Sequence, residues 1–146
     1  MTGPPLRIAP SLLSCDLGRF ADEVADVEAK GADWLHVDVM DGHFVPNLTW
    51  GLPIVAALHR SARQPLDVHL MISNPEDYVV RYAEAGASIV TFHIEACDDP
   101  RPLIASIREA GARAGIALNP DSEADRIRPF LDEVDLVLVM SVHPGY

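Results

Sequence analysis

Short aliphatic or β-branched runs alternate with longer stretches of helical patterning along the whole 146-residue chain. The runs predict strands near Arg7 to Leu13, Trp34 to Met40, Leu66 to Ile72, Ile89 to Ile94, Ala114 to Leu118 and Leu136 to Val142. Between the second and third of these, a helix is predicted from roughly Leu52 to Arg60. Other helices announce their ends. Asn74-Pro75 and Asp99-Pro100 each pair an N-cap side chain with proline at the first helical position, where a missing N–H costs nothing, and Ser122 is expected to cap the fifth helix. At the opposite ends, Lys30-Gly31-Ala32, Ala85-Gly86-Ala87 and Ala110-Gly111-Ala112 repeat one helix-to-strand junction, in which glycine permits the left-handed conformation.

Strict alternation of strand and helix, with strands apolar on both faces, predicts an α/β fold with a parallel sheet, because parallel strands need crossover helices that cover them. A (β/α)8 TIM-type barrel is the leading class, and an open doubly wound sheet is the runner-up. The second is disfavoured because no G-x-G-x-x-G follows the first predicted strand. Only six strands and five helices are predicted, against the eight units of a closed barrel, so residues 1–146 read as a single, C-terminally truncated barrel domain of about six βα units. Its outer strands would be unpaired edges that invite self-association.

Two strands carry polar groups where aliphatic ones are expected. In the segment WLHVDVMDGHFVPN from Trp34 to Asn47, alternation places Trp34, His36, Asp38 and Met40 on one face and Leu35, Val37 and Val39 on the other. Leu66 to Met71 repeats the theme, with Asp67, His69 and Met71 opposite Leu66, Val68 and Leu70. A desolvated carboxylate needs a partner or a cation. If the polar faces converge inside a barrel, His36, Asp38 and His69 offer three N/O ligands to a divalent ion, a mixed set suited to Zn, Fe, Co or Mn. A buried His–Asp hydrogen bond without metal is the alternative. His93 and Glu95 repeat the alternation but read as structural, Gly42 reads as a turn, and Ser11 can either touch a substrate or cap a loop. Met40, Met71 and Met140 fall near strand ends, where methionine is usually core filler.

Composition narrows the function further. A net charge of −11 argues against nucleic acid or an anionic membrane as partner. The N-terminus has no apolar signal-peptide stretch, no run approaches the ~20 apolar residues of a membrane span, and Cys15 and Cys97 form no C-x-x-C pair. A cytoplasmic protein acting on a small molecule is expected. Lys30 is the single lysine and stands at a helix end, which disfavours Schiff-base chemistry and lysine-dependent phosphosugar decarboxylation.

Four segments together resemble ribulose-phosphate 3-epimerases: Ile8-Ala9-Pro10-Ser11-Leu12-Leu13-Ser14, HVDVMDGHFVPN from His36 to Asn47, DVHLM from Asp67 to Met71, and Val142-His143-Pro144-Gly145-Tyr146. The resemblance covers essentially the whole chain. It implies a (β/α)8 barrel enzyme, an isomerase that interconverts D-ribulose 5-phosphate and D-xylulose 5-phosphate in the pentose phosphate pathway with one bound divalent metal. It further implies that His36, Asp38 and His69 are metal ligands, that Asp38 is also a catalytic acid/base, and that Ser11 and His69 contact substrate. Met40, Met71 and Met140 would line the reacting carbons, and Gly145 would begin a loop that closes over them. A second catalytic aspartate, which is also the fourth ligand, and the phosphate site lie past Tyr146 in the family. The chain alone is therefore expected to bind metal weakly and turn over little substrate, and the full-length form to be a homo-oligomer. An allulose 6-phosphate 3-epimerase is the alternative within this chemistry, and an inactive fragment or assembly piece is the alternative outside it.

Overall fold

Five strands form one parallel sheet in the computed structural model, which describes residues 5–145. They are β1 (Leu35–Met40), β2 (Leu66–Met71), β3 (Ile89–His93), β4 (Arg113–Leu118) and β5 (Leu136–Val139), and each pairs with the next. Sequential order without a reversal is the wall of a barrel; a doubly wound sheet would reverse where its ligand crevice opens. The crossovers carry α1 (Phe20–Ala29), α2 (Leu52–Ser61), α3 (Val79–Glu84) and α4 (Arg101–Glu109). Among the described residues, no helix is long and apolar enough to cross a membrane.

Three helices end as their glycines foretell. Gly31, Gly86 and Gly111 have φ of 96°, 111° and 88°. In each case the following alanine N–H reaches back five residues, from Ala32 to Val27, Ala87 to Tyr82 and Ala112 to Ile107. This is the Schellman arrangement, which satisfies helix carbonyls while turning the chain into the next strand. At the other end of α4, the Asp99 carboxylate accepts from the Arg101 N–H at 3.1 Å, but the N-cap is Pro100 rather than Asp99, and Asn74 makes no capping bond and precedes a 3-10 turn, Pro75–Asp77, not α3.

Alternation divides each strand between two environments. Leu35, Val37 and Val39 of β1, with Val68 and Leu70 of β2, are buried against Val24, Val55, Leu58, Val79 and their neighbours on the helices. The opposite faces of β1 and β2 meet in register: His36 pairs with Asp67, Asp38 with His69 and Met40 with Met71. On β3, Thr91 stands beside His69, and His93 follows two positions later on the same side. The sheet therefore stacks its polar groups in layers on the face away from the helices.

Two predicted elements differ. Arg7 to Leu13 is not a strand: Ser11 makes a lone parallel bridge to His36, and Leu12–Ser14 turns into a short 3-10 helix. The segment still runs along β1, since the Ile8 and Pro10 carbonyls accept from Asp33 and His36. Pro10 has no N–H to return, so the ladder cannot propagate. The described sheet thus has five strands where six are predicted. Likewise, Ser122 caps no α-helix; two 3-10 turns, Ala124–Arg126 and Arg128–Phe130, occupy this crossover. Pro129 interrupts any continuous helix there, and the Ser122 hydroxyl turns instead to Glu95. Tyr146, the end of the last motif, lies outside the described residues, as do residues 1–4.

Candidate metal centre and active site

His36, Asp38 and His69 each offer one ligand atom, all within 4.8 Å of one another. Asp38 Oδ1 is the meeting point. It lies 3.1 Å from His36 Nε2 and 3.0 Å from His69 Nδ1, while Oδ2 accepts from the Ser11 hydroxyl. The backs of both rings are also engaged. His36 Nδ1 is 2.7 Å from Asp67 Oδ2, and His69 Nε2 is 2.8 Å from His93 Nε2. His93 is held in turn by Glu95, 3.1 Å from Nδ1, and covered by the Phe44 ring at a centroid distance of 4.9 Å.

Electrostatics follow from this packing. Burial works against charge on His36, yet its bonds to Asp38 and Asp67 prevail and hold its pKa up to about 10. Burial also opposes the Asp38 charge, but His36, His69 and Ser11 keep the carboxyl far below the usual carboxylate range. For His69 the order is reversed, and burial wins over Asp38 to push its pKa below the ordinary histidine value. Burial and the neighbouring His69 push His93 down to about 4.

The donor set fits a divalent cation. A neutral imidazole carries one N–H, but His36 faces carboxylates through both nitrogens. Likewise, three contacts link Glu95, His93, His69 and Asp38, whereas two neutral rings supply only two hydrogens. Both shortfalls converge on Asp38 Oδ1. A cation there would complete both sets with every ring neutral, and ligand bonds of about 2.1 Å would separate adjacent donors by about 3.0–3.4 Å, as Asp38 Oδ1 is separated from His36 Nε2 and His69 Nδ1. Asp67 supplies the carboxylate–histidine support common behind metal-binding imidazoles.

The chain matches the Ribulose-phosphate 3 epimerase family over residues 7–146. It belongs to that family. It is 55% identical over 145 residues to the ribulose-phosphate 3-epimerase of Mycobacterium tuberculosis (strain ATCC 25618 / H37Rv), covering 99% of this chain and 62% of that protein. The Rhodobacter capsulatus ribulose-phosphate 3-epimerase is 50% identical over 141 residues, covering 97% of this chain and 62% of that protein. A cytoplasmic isoform of the enzyme from Oryza sativa subsp. japonica is 48% identical over 144 residues, with 96% and 63% covered. This chain thus spans less than two thirds of the length of these relatives. Among solved structures, tryptophan synthase subunit alpha from Legionella pneumophila str. Paris superposes with a TM-score of 0.62 at 13% identity, over 92% of this chain and 62% of that one. That likeness shows the barrel fold.

The epimerase family pattern can now be placed on the described geometry. Ser11 caps the turn that follows it by accepting from the Leu13 N–H, and its hydroxyl also donates to Asp38. Met40 and Met71 pack with Val45 and Phe44 in a cluster separate from the main core. Met140 just follows β5 and is not brought into that cluster, although it keeps the register of Leu136 and Leu138, which face Gly115 and Ala117. Gly145, at φ 90°, approaches the loop after β1 so closely that an added Cβ would lie 2.8 Å from that of Val45. That loop is itself anchored, since Asp41 accepts from the backbone of His43 and Phe44 and from both the amide and hydroxyl of Ser73. Beside it opens a cleft lined by Met40, Asp41, Thr49, Trp50, Ser73 and Tyr78, which does not include the three candidate ligands.

Asp67, His93 and Glu95 are members of the site that pattern reading left out of it. Asp67 lies on the polar face of its strand, but its role depends on the register of β1 with β2. Glu95 is held by Asn119 and Ser122, which arrive from beyond β4. Nothing in local spacing signals that connection.

Proposed function

We propose that this protein is a metal-dependent epimerase that interconverts D-ribulose 5-phosphate and D-xylulose 5-phosphate by moving the proton at C3. The convergence of His36, Asp38 and His69 on one carboxylate oxygen, in a chain of this family, is the observation that carries the reading. Inverting a carbon next to a carbonyl requires removing its proton to give a planar enediolate and returning one to the opposite face. Asp38 is the group for one face: it is ionised, half-buried and fixed by Ser11. Because an aspartate held so low is a weak base, the carbon acid must be made more acidic. A divalent cation of the Zn, Fe, Mn or Co type, held by His36, Asp38 and His69, would supply that help by stabilising negative charge on the substrate oxygens.

The protein's own groups do the rest. His36 and His69 orient Asp38 from two sides, and the Met40–Met71 cluster gives the reacting carbons an apolar wall that excludes water. The opposite face calls for a second acid/base group. Asp67 and Glu95 are already committed to His36 and His93, so by the family pattern that group is an aspartate beyond Tyr146. We place the reaction in the cytoplasm, in keeping with the name of the rice relative, and expect a homo-oligomer.

Direct turnover separates this reading from its nearest alternative. With D-ribulose 5-phosphate and D-allulose 6-phosphate supplied in parallel to the metal-loaded full-length form, kcat/KM is expected to favour the pentulose. Preference for the hexulose would reassign the substrate, and turnover of neither would remove the epimerase reading.

A further inference from the structure

The hydrogen-bonded line behind His69 fixes which of its nitrogens is free. It begins at Glu95, whose Oε1 accepts from the Asn119 N–H at 2.9 Å and from the Ser122 hydroxyl. Both partners are donors, so this end of Glu95 is an acceptor. Its other oxygen, Oε2, lies 3.1 Å from His93 Nδ1, which must carry a hydrogen to pair with it. A neutral His93 then presents a bare Nε2 to His69 Nε2 at 2.8 Å, and that contact forms only if His69 carries its hydrogen on Nε2. His69 Nδ1 is left as a lone pair aimed at Asp38 Oδ1 and the candidate cation position. The two rings at the centre of the line are enclosed: His69 and His93 are 1% and 0% exposed, so water cannot replace either ring's partner in their mutual contact without opening the core.

The geometry points to His93 and Glu95 as positioning residues that set the His69 tautomer for metal ligation, with Asn119 and Ser122 holding Glu95 in its acceptor state. This inference rests on the metal reading above and deepens it. The site is then not confined to β1 and β2. Its third ligand is governed through β3 by the turn that follows β4, some 25 residues away in sequence from the Glu95 it grips.

Glu95→Gln is the discriminating change because it keeps size and reverses one donor. Asn119 N–H can only donate, so the new amide oxygen takes its side and the NH2 group faces His93 Nδ1. His93 must then accept there and carry its hydrogen on Nε2. That hydrogen forces His69 to place its own on Nδ1, the ligand nitrogen. Ser122→Ala loosens the same line without reversing it and serves as the structural comparison.

The test is Co2+ affinity, from the intensity of the d–d absorption in competition with a chelator, for the purified full-length wild-type form and both variants. Wild type is expected to bind, Glu95→Gln to bind roughly 10–100-fold more weakly at unchanged Tm of the metal-free protein, and Ser122→Ala to lose less. Long-range 1H–15N correlations on the Zn2+-loaded wild type should show hydrogen on His93 Nδ1 and His69 Nε2, a readout that stands even where Glu95→Gln does not fold. Equal affinity of wild type and Glu95→Gln, or hydrogen on His93 Nε2 in the wild type, would overturn the tautomer relay and leave the metal reading intact. A wild type that takes up neither ion would overturn both.

Discussion

Asp38→Asn in the full-length form is expected to lower kcat for pentulose phosphate by roughly 10²–10⁴-fold and to abolish exchange of the C3 proton with solvent. The amide keeps the size of the side chain and one oxygen, so Ser11 retains an acceptor and the fold should persist. It cannot take a proton from carbon. The substitution also removes the charge on which His36 and His69 converge, so part of the loss is expected as weakened metal binding. Measuring exchange at saturating metal separates the two effects. Wild-type exchange in Asp38→Asn with the ion bound would mean that another group moves the proton.

Removing the metal is the second large perturbation. Stripping it from the full-length form with a chelator should reduce turnover by at least about a hundredfold and lower Tm, because an ion that binds only the folded protein stabilises it by about 2.7 kcal/mol at 100 times its dissociation constant. Adding back Zn2+, Mn2+, Co2+ or Fe2+ should restore both. Full activity in protein shown by elemental analysis to be free of metal would exclude the cation from the reaction.

Much of this molecule is legible in its sequence because strong local rules act alone. The alternation in Leu35 to Met40 needs only the pleat to put His36 and Asp38 on one side, and the three Gly-Ala junctions need only the left-handed φ that glycine tolerates. Family membership follows from four motifs in order. The misreadings arise where a missing donor or a distant partner decides. Arg7 to Leu13 has the composition of a strand, but Pro10 breaks its ladder. The stretch after Ser122 has helical patterning, but Pro129 and the pull of Glu95 on Ser122 divide it into two short turns.

The site shows the same division. His36, Asp38 and His69 are visible because buried polar residues on aliphatic strands are conspicuous. His93 and Glu95 carry the same signal, yet read as structural because their meaning lies in contacts with β2 and with the turn after β4. Register places Asp67 behind His36, and single-strand periodicity contains no register.

The most direct measurement is the fate of hydrogen at each carbon when D-ribulose 5-phosphate is incubated with the metal-loaded full-length wild-type form in D2O and followed by NMR. Deuterium should enter at C3 of both D-ribulose 5-phosphate and D-xylulose 5-phosphate, with none at C1. Formation of D-xylulose 5-phosphate with its C3 hydrogen undiminished, or deuterium entering at C1, would contradict proton transfer at C3 by Asp38.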